Sequence, residues 1–471
     1  MSLTSLAFVA AFFGGLLASL LRNPVYGLYT YISVFYLHPP DRWWGEMLPD
    51  LRWSLLAAFV TVLSLWRDPP PADRPSWLQN STVRMFILFS AWLWLQLAWA
   101  ADRETHSEAA ILFTKYTLLI FLVYMVVRTA EDLRNVLLVH VLGCFYLGWI
   151  IFVTPDSGRL DGRFDGVGGP GIDDANSLAM QLGTGLLAAS ALVLQGSWRV
   201  RALALAVTPF IVNGMIQTMS RGPVVGLIAG GLVMLTVTPV RFRKVYYGLG
   251  VLALLILVRM APAQFWERLG TISAPVQQTE EVDLSTQTRL VLAEAQLQMA
   301  LDHPFGAGHR GTAILSPRYL DEKYMAKTEW GEALGTRSSH NTFLSVLVEQ
   351  GMPGALIYLL LLLTVYRQVR QLKTLDPLGL PEAIGTYRAA VAGCITAVLV
   401  GGLFTDFLKA EVFVWCLGLL AALYQLAPHA LPAAAPPAAP EPDPAPAPPP
   451  RRRSRPGRPA VRHRRQGVSR D

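Results

Sequence analysis

Charge is scarce in this chain: 15% of the residues are Asp, Glu, Lys or Arg, while 52% are hydrophobic. A soluble domain of this length interrupts its apolar runs every few residues, so the scarcity excludes an ordinary globular protein. Cysteine is scarcer still. Cys144, Cys394 and Cys416 are the full set, and each lies inside an apolar run, where a thiol acts as a small buried hydrophobe. That excludes a disulfide framework and a thiolate metal site. Metal-ligand patterns are missing too: there is no HExxH, no Cys/His cluster and no DxD-like pair clearly placed on the outer side of the membrane. Asp173 and Asp174 beside Asn176 read as a helix cap, so no metal and no cofactor is expected. The first apolar run lacks a basic start and a cleavage site, and is expected to remain in the membrane.

Positive charge is abundant in one place only. The formal charge is +7, yet nine arginines from Arg451 to Arg470 set against Glu441, Asp443 and Asp471 give the tail +6 and leave about +1 for everything else. The Pro/Ala stretch Leu431–Pro450 cannot build a core and is expected to be a disordered spacer. The arginines behind it suit the anionic cytoplasmic leaflet. No aromatics interleave them, which argues against nucleic acid.

What the chain does have is apolar runs of membrane-spanning length, near 5–21, 25–38, 52–66, 84–99, 110–127, 133–153, 177–195, 202–218, 223–240, 245–261, 342–366, 386–404 and 411–427. Lipid offers no partner for free backbone groups, so such runs become helices. The first two are short enough to form one re-entrant unit. The expected fold is therefore an all-α polytopic membrane protein of about 12 transmembrane helices. Its organisation is expected as N-terminal helices over 1–153, a second transmembrane region over 154–427, and a tail over 428–471.

Orientation follows from Lys and Arg in short loops. Arg199 and Arg201, then Arg241, Arg243 and Lys244, then Arg367, Arg370 and Lys373, then the tail, alternate consistently and belong in the cytoplasm. Segments 154–176, 219–222, 262–341 and 405–410 then face outward. Loop 262–341 is far longer than a usual helix connection, and such loops are usually functional. Within it, Thr288–Leu301 places Leu290, Ala293, Leu297, Ala300 and Leu301 on one helical stripe. An amphipathic helix lying on the bundle or on the membrane surface is expected. His303-Pro304-Phe305-Gly306-Ala307-Gly308 stops it.

Three outward segments feed helices that run back inward: Asp173–Ser177, Ser220-Arg221-Gly222-Pro223 and Ser338-Ser339-His340-Asn341. Each presents a helix N-terminus, whose unpaired N–H groups and dipole favour anions; Ser220 is a plausible cap. Arg221, and Arg289 in the loop helix, are candidate phosphate ligands. Plainer roles stand beside these. An Arg at a helix end also snorkels to the interface, an Arg on an amphipathic helix is commonly solvated, and an interfacial His is commonly structural.

The stretch Arg337-Ser338-Ser339-His340-Asn341-Thr342-Phe343-Leu344, continuing through Val348-Glu349-Gln350-Gly351-Met352-Pro353-Gly354, resembles the signature of the O-antigen ligase and polymerase superfamily. So do Thr218-Met219-Ser220-Arg221-Gly222 and the pairing of Arg289 with His303–Gly308. Arg163-Phe164 through Asp174-Ala175-Asn176 looks like the upstream element of the same domain. The similarity covers roughly 155–370. Arg22-Asn23-Pro24 to Trp43-Trp44-Gly45 resembles a domain of exosortase-associated glycosylation ligases.

The resemblance implies a GT-C-like membrane enzyme with a large periplasmic loop that contains helices. It implies metal-independent, inverting transfer of a glycan from undecaprenyl pyrophosphate to lipid A–core oligosaccharide at the periplasmic face of the inner membrane. His340 matches the family's general base, and Arg221 and Arg289 its pyrophosphate-binding arginines. Arg163, Asn176, Arg310 and Arg337 are secondary substrate-binding candidates. The partners implied are the lipid-linked glycan, lipid A–core and membrane lipids, with no nucleic acid. A polymerase, with a second lipid-linked repeat as acceptor, and a protein O-oligosaccharyltransferase share this chemistry. A transporter of lipid-linked glycan is the alternative without chemistry. It would show polar residues and Gly/Pro breaks at mid-membrane in related halves, and no convincing set is seen.

Overall fold

The computed structural model describes residues 2–154, 164, 166–169, 171–172, 174–260, 280–325 and 335–432. The chain divides into Met1–Leu431 and Pro432–Asp471; in the second unit only Pro432 is described, so the tail expectation lies outside the described residues.

Every regular element among the described residues is a helix. The N-terminal half contributes α1 (Leu3–Leu21), α2 (Val25–Leu37), α3 (Trp53–Arg67), α4 (Ser81–Gln96), α5 (Arg103–Val126) and α6 (Ala130–Val153). There follow α7 (Ala175–Gln195), α8 (Trp198–Gln217), α9 (Arg221–Val237), α10 (Arg243–Met260), α11 (Glu280–Asp302), α12 (Gly311–Tyr319), α13 (Thr342–Lys373), α14 (Glu382–Gly401) and α15 (Glu411–His429). Eight of these are both long and apolar enough to cross a membrane: α1, α5, α6, α7, α8, α13, α14 and α15. Helices α3 and α9 are shorter apolar helices. The chain is thus an all-helical polytopic membrane protein. The thirteen apolar runs are all helical, and the first two form separate helices that return on each other around Asn23 and Pro24.

The centre of the bundle is α14, enclosed along Ala389, Ala390, Val391, Cys394 and Ala397. Helix α9 lies on it through Gly226 and Gly230. A methyl group on either would stand 2.5 Å from Ala397 O or Gly393 O, so the two backbones touch because glycine leaves room. That close approach sets the first turn of α9 beside the last turn of α14. Cys144, Cys394 and Cys416 are buried as small hydrophobes, with Cys144 donating to Gln181 O at 3.2 Å.

Basic segments from three loops meet at one end of the bundle. Lys373 donates to Thr236 O, Arg241 pairs with Glu382 and Arg201 donates to Gly196 O. There the fully buried Arg388 binds both carboxylate oxygens of Asp376 (2.7 and 2.8 Å) and the carbonyls of Leu372 and Val237. The starts of α5, α7, α9, α13 and α15 gather at the opposite end.

Two readings of the long loop need correction or refinement. Helix α11 ends at Asp302, just before His303-Pro304, as expected, but its buried face is Leu292, Ala295, Gln296, Met299 and Ala300. Leu290, Leu297 and Leu301 are outward-facing, at 68, 51 and 70% exposure. Both faces of this helix are apolar enough to satisfy a 3.6-residue period, so periodicity alone does not choose between them. The stop motif also does more than end a helix. It threads into a break in α13 at Gly351 (φ 68°, ψ −177°). Ala307 and Gly308 donate to Val348 O and Glu349 O, and Met352 donates to Pro304 O, at 2.8–3.0 Å. Gln96 and Trp92 donate to Glu349 O and Gln350 O just before the break, and Gln96 and Trp99 to Phe305 O and Gly306 O of the inserted motif. Interrupted helices survive in membranes only where neighbours satisfy the freed backbone in this way.

Candidate functional site

The three inward-running helices begin where the sequence places them, and their first turns are neighbours. Ser220 Oγ donates to Ala175 O at 3.1 Å, joining the starts of α9 and α7. Gly222 packs against Phe404. Asn341 Nδ2 donates to Leu403 O at 3.2 Å, and Thr342 N donates to Gly402 O at 2.7 Å, bringing the start of α13 onto the same 402–407 segment. Thr342 Oγ1 completes the clasp by donating to Thr405 O and accepting from Phe407 N.

Two of these N-termini, those of α7 and α13, do not offer the amides expected of them. Asp174 caps α7 by accepting from the N–H groups of Asn176 (2.8 Å) and Ser177 (3.2 Å). Asn341 caps α13 by accepting from Phe343 and Leu344 at 2.9 and 3.1 Å. Ser220 sits at the cap position of α9 but makes no side-chain cap, since its hydroxyl is turned to Ala175 O. The dipoles remain, but most of the anion-binding amides of α7 and α13 are taken by their own caps. An anion beside the starts of α7 and α13 is therefore left chiefly to side chains.

Those side chains lie around the His340 turn. Gln296 Nε2 donates to Ser339 Oγ at 2.9 Å, tying α11 to the residue before His340. Arg289 is seven residues earlier, two turns along the same helix, so it shares the Gln296 face. Arg337 is fixed by its backbone N–H to Ser316 Oγ of α12 at 2.8 Å. Its Nε is enclosed and has no hydrogen-bond partner among the described residues. The enclosure and the nearby Arg289 charge both lower the Arg337 pKa from its ordinary value. His340 keeps an exposed surface, yet its pKa is lowered: first by burial of much of its ring, then by Arg337 and Arg289, with Asp174 opposing. The imidazole therefore stays neutral under conditions where an ordinary histidine begins to charge. A neutral imidazole beside two guanidinium groups can take a proton while an anion is held next to it.

Arg289, Arg337, His340 and Asp174 are thus within electrostatic reach of one another. Arg221 and Asn176 flank them in the first turns of α9 and α7. Arg310 stands apart at the start of α12 in the left-handed region (φ 59°), where its charge acts on Asp102 at the start of α5. Met219, before Arg221, is also left-handed (φ 52°). Non-glycine residues in that region carry strain that often clusters at functional sites. Arg163 and Asp173 lie outside the described residues, as do 261–279 and 326–334 of the long loop. No group of three or more His, Cys, Asp or Glu positioned to hold a metal occurs among the described residues.

A second polar cluster adjoins the first, and the sequence motifs marked only its Glu349, without giving that residue a role. Glu349, 5% exposed, meets His309 Nδ1 at 3.1 Å, and Lys409 Nζ meets His309 Nε2 at 3.2 Å. Asp406 lies near Glu349 and Lys409, and its pKa is pushed up to about 6, first by burial and then by the Glu349 charge. The members come from three segments that meet only in the fold. Two signals pointed to Glu349: it stands in the Val348–Gly354 part of the signature stretch, and a chain with so few charges places it within an apolar helix.

An all-helical polytopic membrane protein that gathers arginines and a neutral histidine at one end of its bundle is suited to handling an anionic, lipid-borne substrate. Residues 204–359, a third of the chain, match the O-antigen ligase family, in agreement with the superfamily resemblance of its motifs. That span includes Arg221, Arg289, Arg310, Arg337 and His340, and stops short of Asn176 and the 402–410 segment. Comparison with curated proteins gave no match.

Proposed function

We propose that the protein is a glycosyltransferase that ligates O-antigen polysaccharide from undecaprenyl pyrophosphate onto lipid A–core oligosaccharide. It works at the periplasmic face of the bacterial inner membrane, without a metal, and the basic tail lies in the cytoplasm. The observation that carries this reading is the His340 turn: a neutral imidazole crowded by Arg337 and Arg289 inside the family-matched span. The charge pattern of the loops supports the sidedness.

In this reading the acceptor hydroxyl attacks the anomeric carbon from the face opposite the pyrophosphate. A new C–O bond forms as the bond to pyrophosphate breaks, so the configuration inverts. The hydroxyl proton passes to His340, and the electron pair leaves on undecaprenyl pyrophosphate. Arg221 and Arg289 hold the negative charge that develops there, as fixed cations do without reorganising at the moment of reaction. Arg337, whose enclosed Nε has no hydrogen-bond partner among the described residues, is a third donor to the same anion. Asn176 and Arg310 are assigned to substrate contacts at the rim.

The test is transfer by the purified protein with lipid-linked polysaccharide and lipid A–core. Glycan appearing on the core in wild type, and lost in His340→Ala with donor binding retained, supports the reading. Elongation of the lipid-linked chain instead would make it a polymerase, and glycan on serine or threonine would make it a protein-directed transferase. Either outcome refutes the ligase assignment.

A further inference from the structure

The cluster beside the site has a fixed hydrogen-bond order. A carboxylate only accepts, so His309 Nδ1 carries a proton and donates to Glu349 Oε2 at 3.1 Å. His309 Nε2 is then a lone pair, and it accepts from the Lys409 ammonium at 3.2 Å. His309 is itself held from behind. Its backbone N–H donates to His106 Nδ1 at 2.8 Å, and His106 Nε2 donates to Leu93 O at 2.8 Å. The chain Glu349–His309–Lys409 therefore joins α13, the segment threaded into its break, and the 402–410 segment.

That last segment is the one on which the His340 turn rests. Gly402 O and Thr405 O accept from Thr342, Leu403 O accepts from Asn341, and Phe407 N donates back to Thr342 Oγ1. Lys409 lies two residues beyond Phe407 and is exposed apart from this contact. Its ammonium bonds His309, and its backbone carbonyl accepts from Tyr116 at 2.7 Å.

We propose that Glu349, His309 and Lys409 are positioning residues. Their relay sets the 402–410 segment and, through it, the placement of His340 against the acceptor hydroxyl. The proposal rests on the glycosyl-transfer reading. The relay needs at position 309 a neutral side chain that donates on one side and accepts on the other. Glutamine meets that need, with its amide N–H toward Glu349 and its carbonyl toward Lys409. Leucine does not.

The experiment uses the full-length protein in detergent or lipid nanodiscs. His309→Leu and Lys409→Met are expected to lower kcat about tenfold or more, since misplacement of a reacting group by 1 Å costs roughly a hundredfold. Donor affinity should stay within about twofold. His309→Gln should recover most of the kcat lost in His309→Leu, and the double variant should be no slower than the slower single one. A His309→Gln protein as slow as His309→Leu overturns the proposal, as do losses that multiply in the double variant. Hydrogen exchange supplies a readout independent of activity: Lys409→Met should speed exchange of the Thr342 and Phe407 amides, and unchanged exchange overturns the relay. A wild-type protein that transfers glycan to no acceptor refutes the functional reading instead, and the exchange measurement then decides the relay by itself.

Discussion

Replacing Gly351 by alanine tests whether the break in α13 is held by the strap threaded into it. A methyl group there would stand 2.3 Å from Gly306 N and from Phe305 C, and 2.6 Å from Pro304 O. All three are backbone atoms, so no rotamer change relieves the overlap. Moreover φ 68° with ψ −177° lies in territory that only glycine occupies readily. The cheapest escape is for the strap to withdraw. Withdrawal forfeits the bonds Ala307 N to Val348 O, Gly308 N to Glu349 O and Met352 N to Pro304 O. At about 1 kcal/mol net each, that is roughly 3 kcal/mol, or on the order of a hundredfold in the docked population. The assay is amide exchange of Ala307 and Gly308 by mass spectrometry, with transfer rate measured alongside. Protection should fall by about that factor, and transfer should fall with it, because His309 travels with the strap. Gly250→Ala is the control: its added methyl would meet nothing within 4 Å on helix α10. There alanine should be neutral or slightly stabilising. Gly351→Ala with wild-type protection would show that the strap does not depend on the break.

Removing the base should cost far more than removing a structural histidine: His340→Ala is expected to slow transfer by about 10²–10⁴-fold at saturating donor, measured by product formation. Because the His340 pKa is lowered, the acid limb of the rate profile should lie below the range of an ordinary histidine. Arg337→Gln removes a cation that disfavours the imidazolium, so it should move that limb to higher pH, and a limb that stays put would exclude the Arg337 charge as a cause. At the other end of the bundle, Arg388→Met leaves Asp376 without its partner and should cost roughly 3–5 kcal/mol in thermal unfolding, much of it recovered in Arg388→Met/Asp376→Leu. Transfer should persist in excess chelator and after truncation at Leu431; loss in chelator would refute the metal-independent mechanism, and loss on truncation would give the tail a part in it.

How far the sequence reached is clearest from particular residues. The starts of α7, α9 and α13 were legible because Asp174, Ser220 and Asn341 are cap-type residues set at sharp changes from polar to apolar. Pairing of the three starts was not legible, since it depends on Gly226 and Gly230 allowing α9 onto α14, and nothing local distinguishes those glycines from Gly250. The same limit explains Ser220: its hydroxyl suits a cap, but the nearby Ala175 carbonyl, 45 residues away in sequence, takes it. Arg337 and His340 were found through the motif they share, which also contains Glu349, whereas the meeting of Glu349 with His309 and Lys409 joins three segments, with no spacing to betray it. The His303–Gly308 motif was readable as a helix stop because Pro and Gly punctuate locally. Its second role depends on Gly351, 43 residues after Gly308, having no side chain where the strap enters. Local chemistry therefore marked where helices begin and which groups can carry charge. The environment that lowers the His340 pKa is burial together with the charges of Arg337 from the loop and Arg289 from α11, set against the opposing charge of Asp174 at the cap of α7, and it exists only once those elements meet.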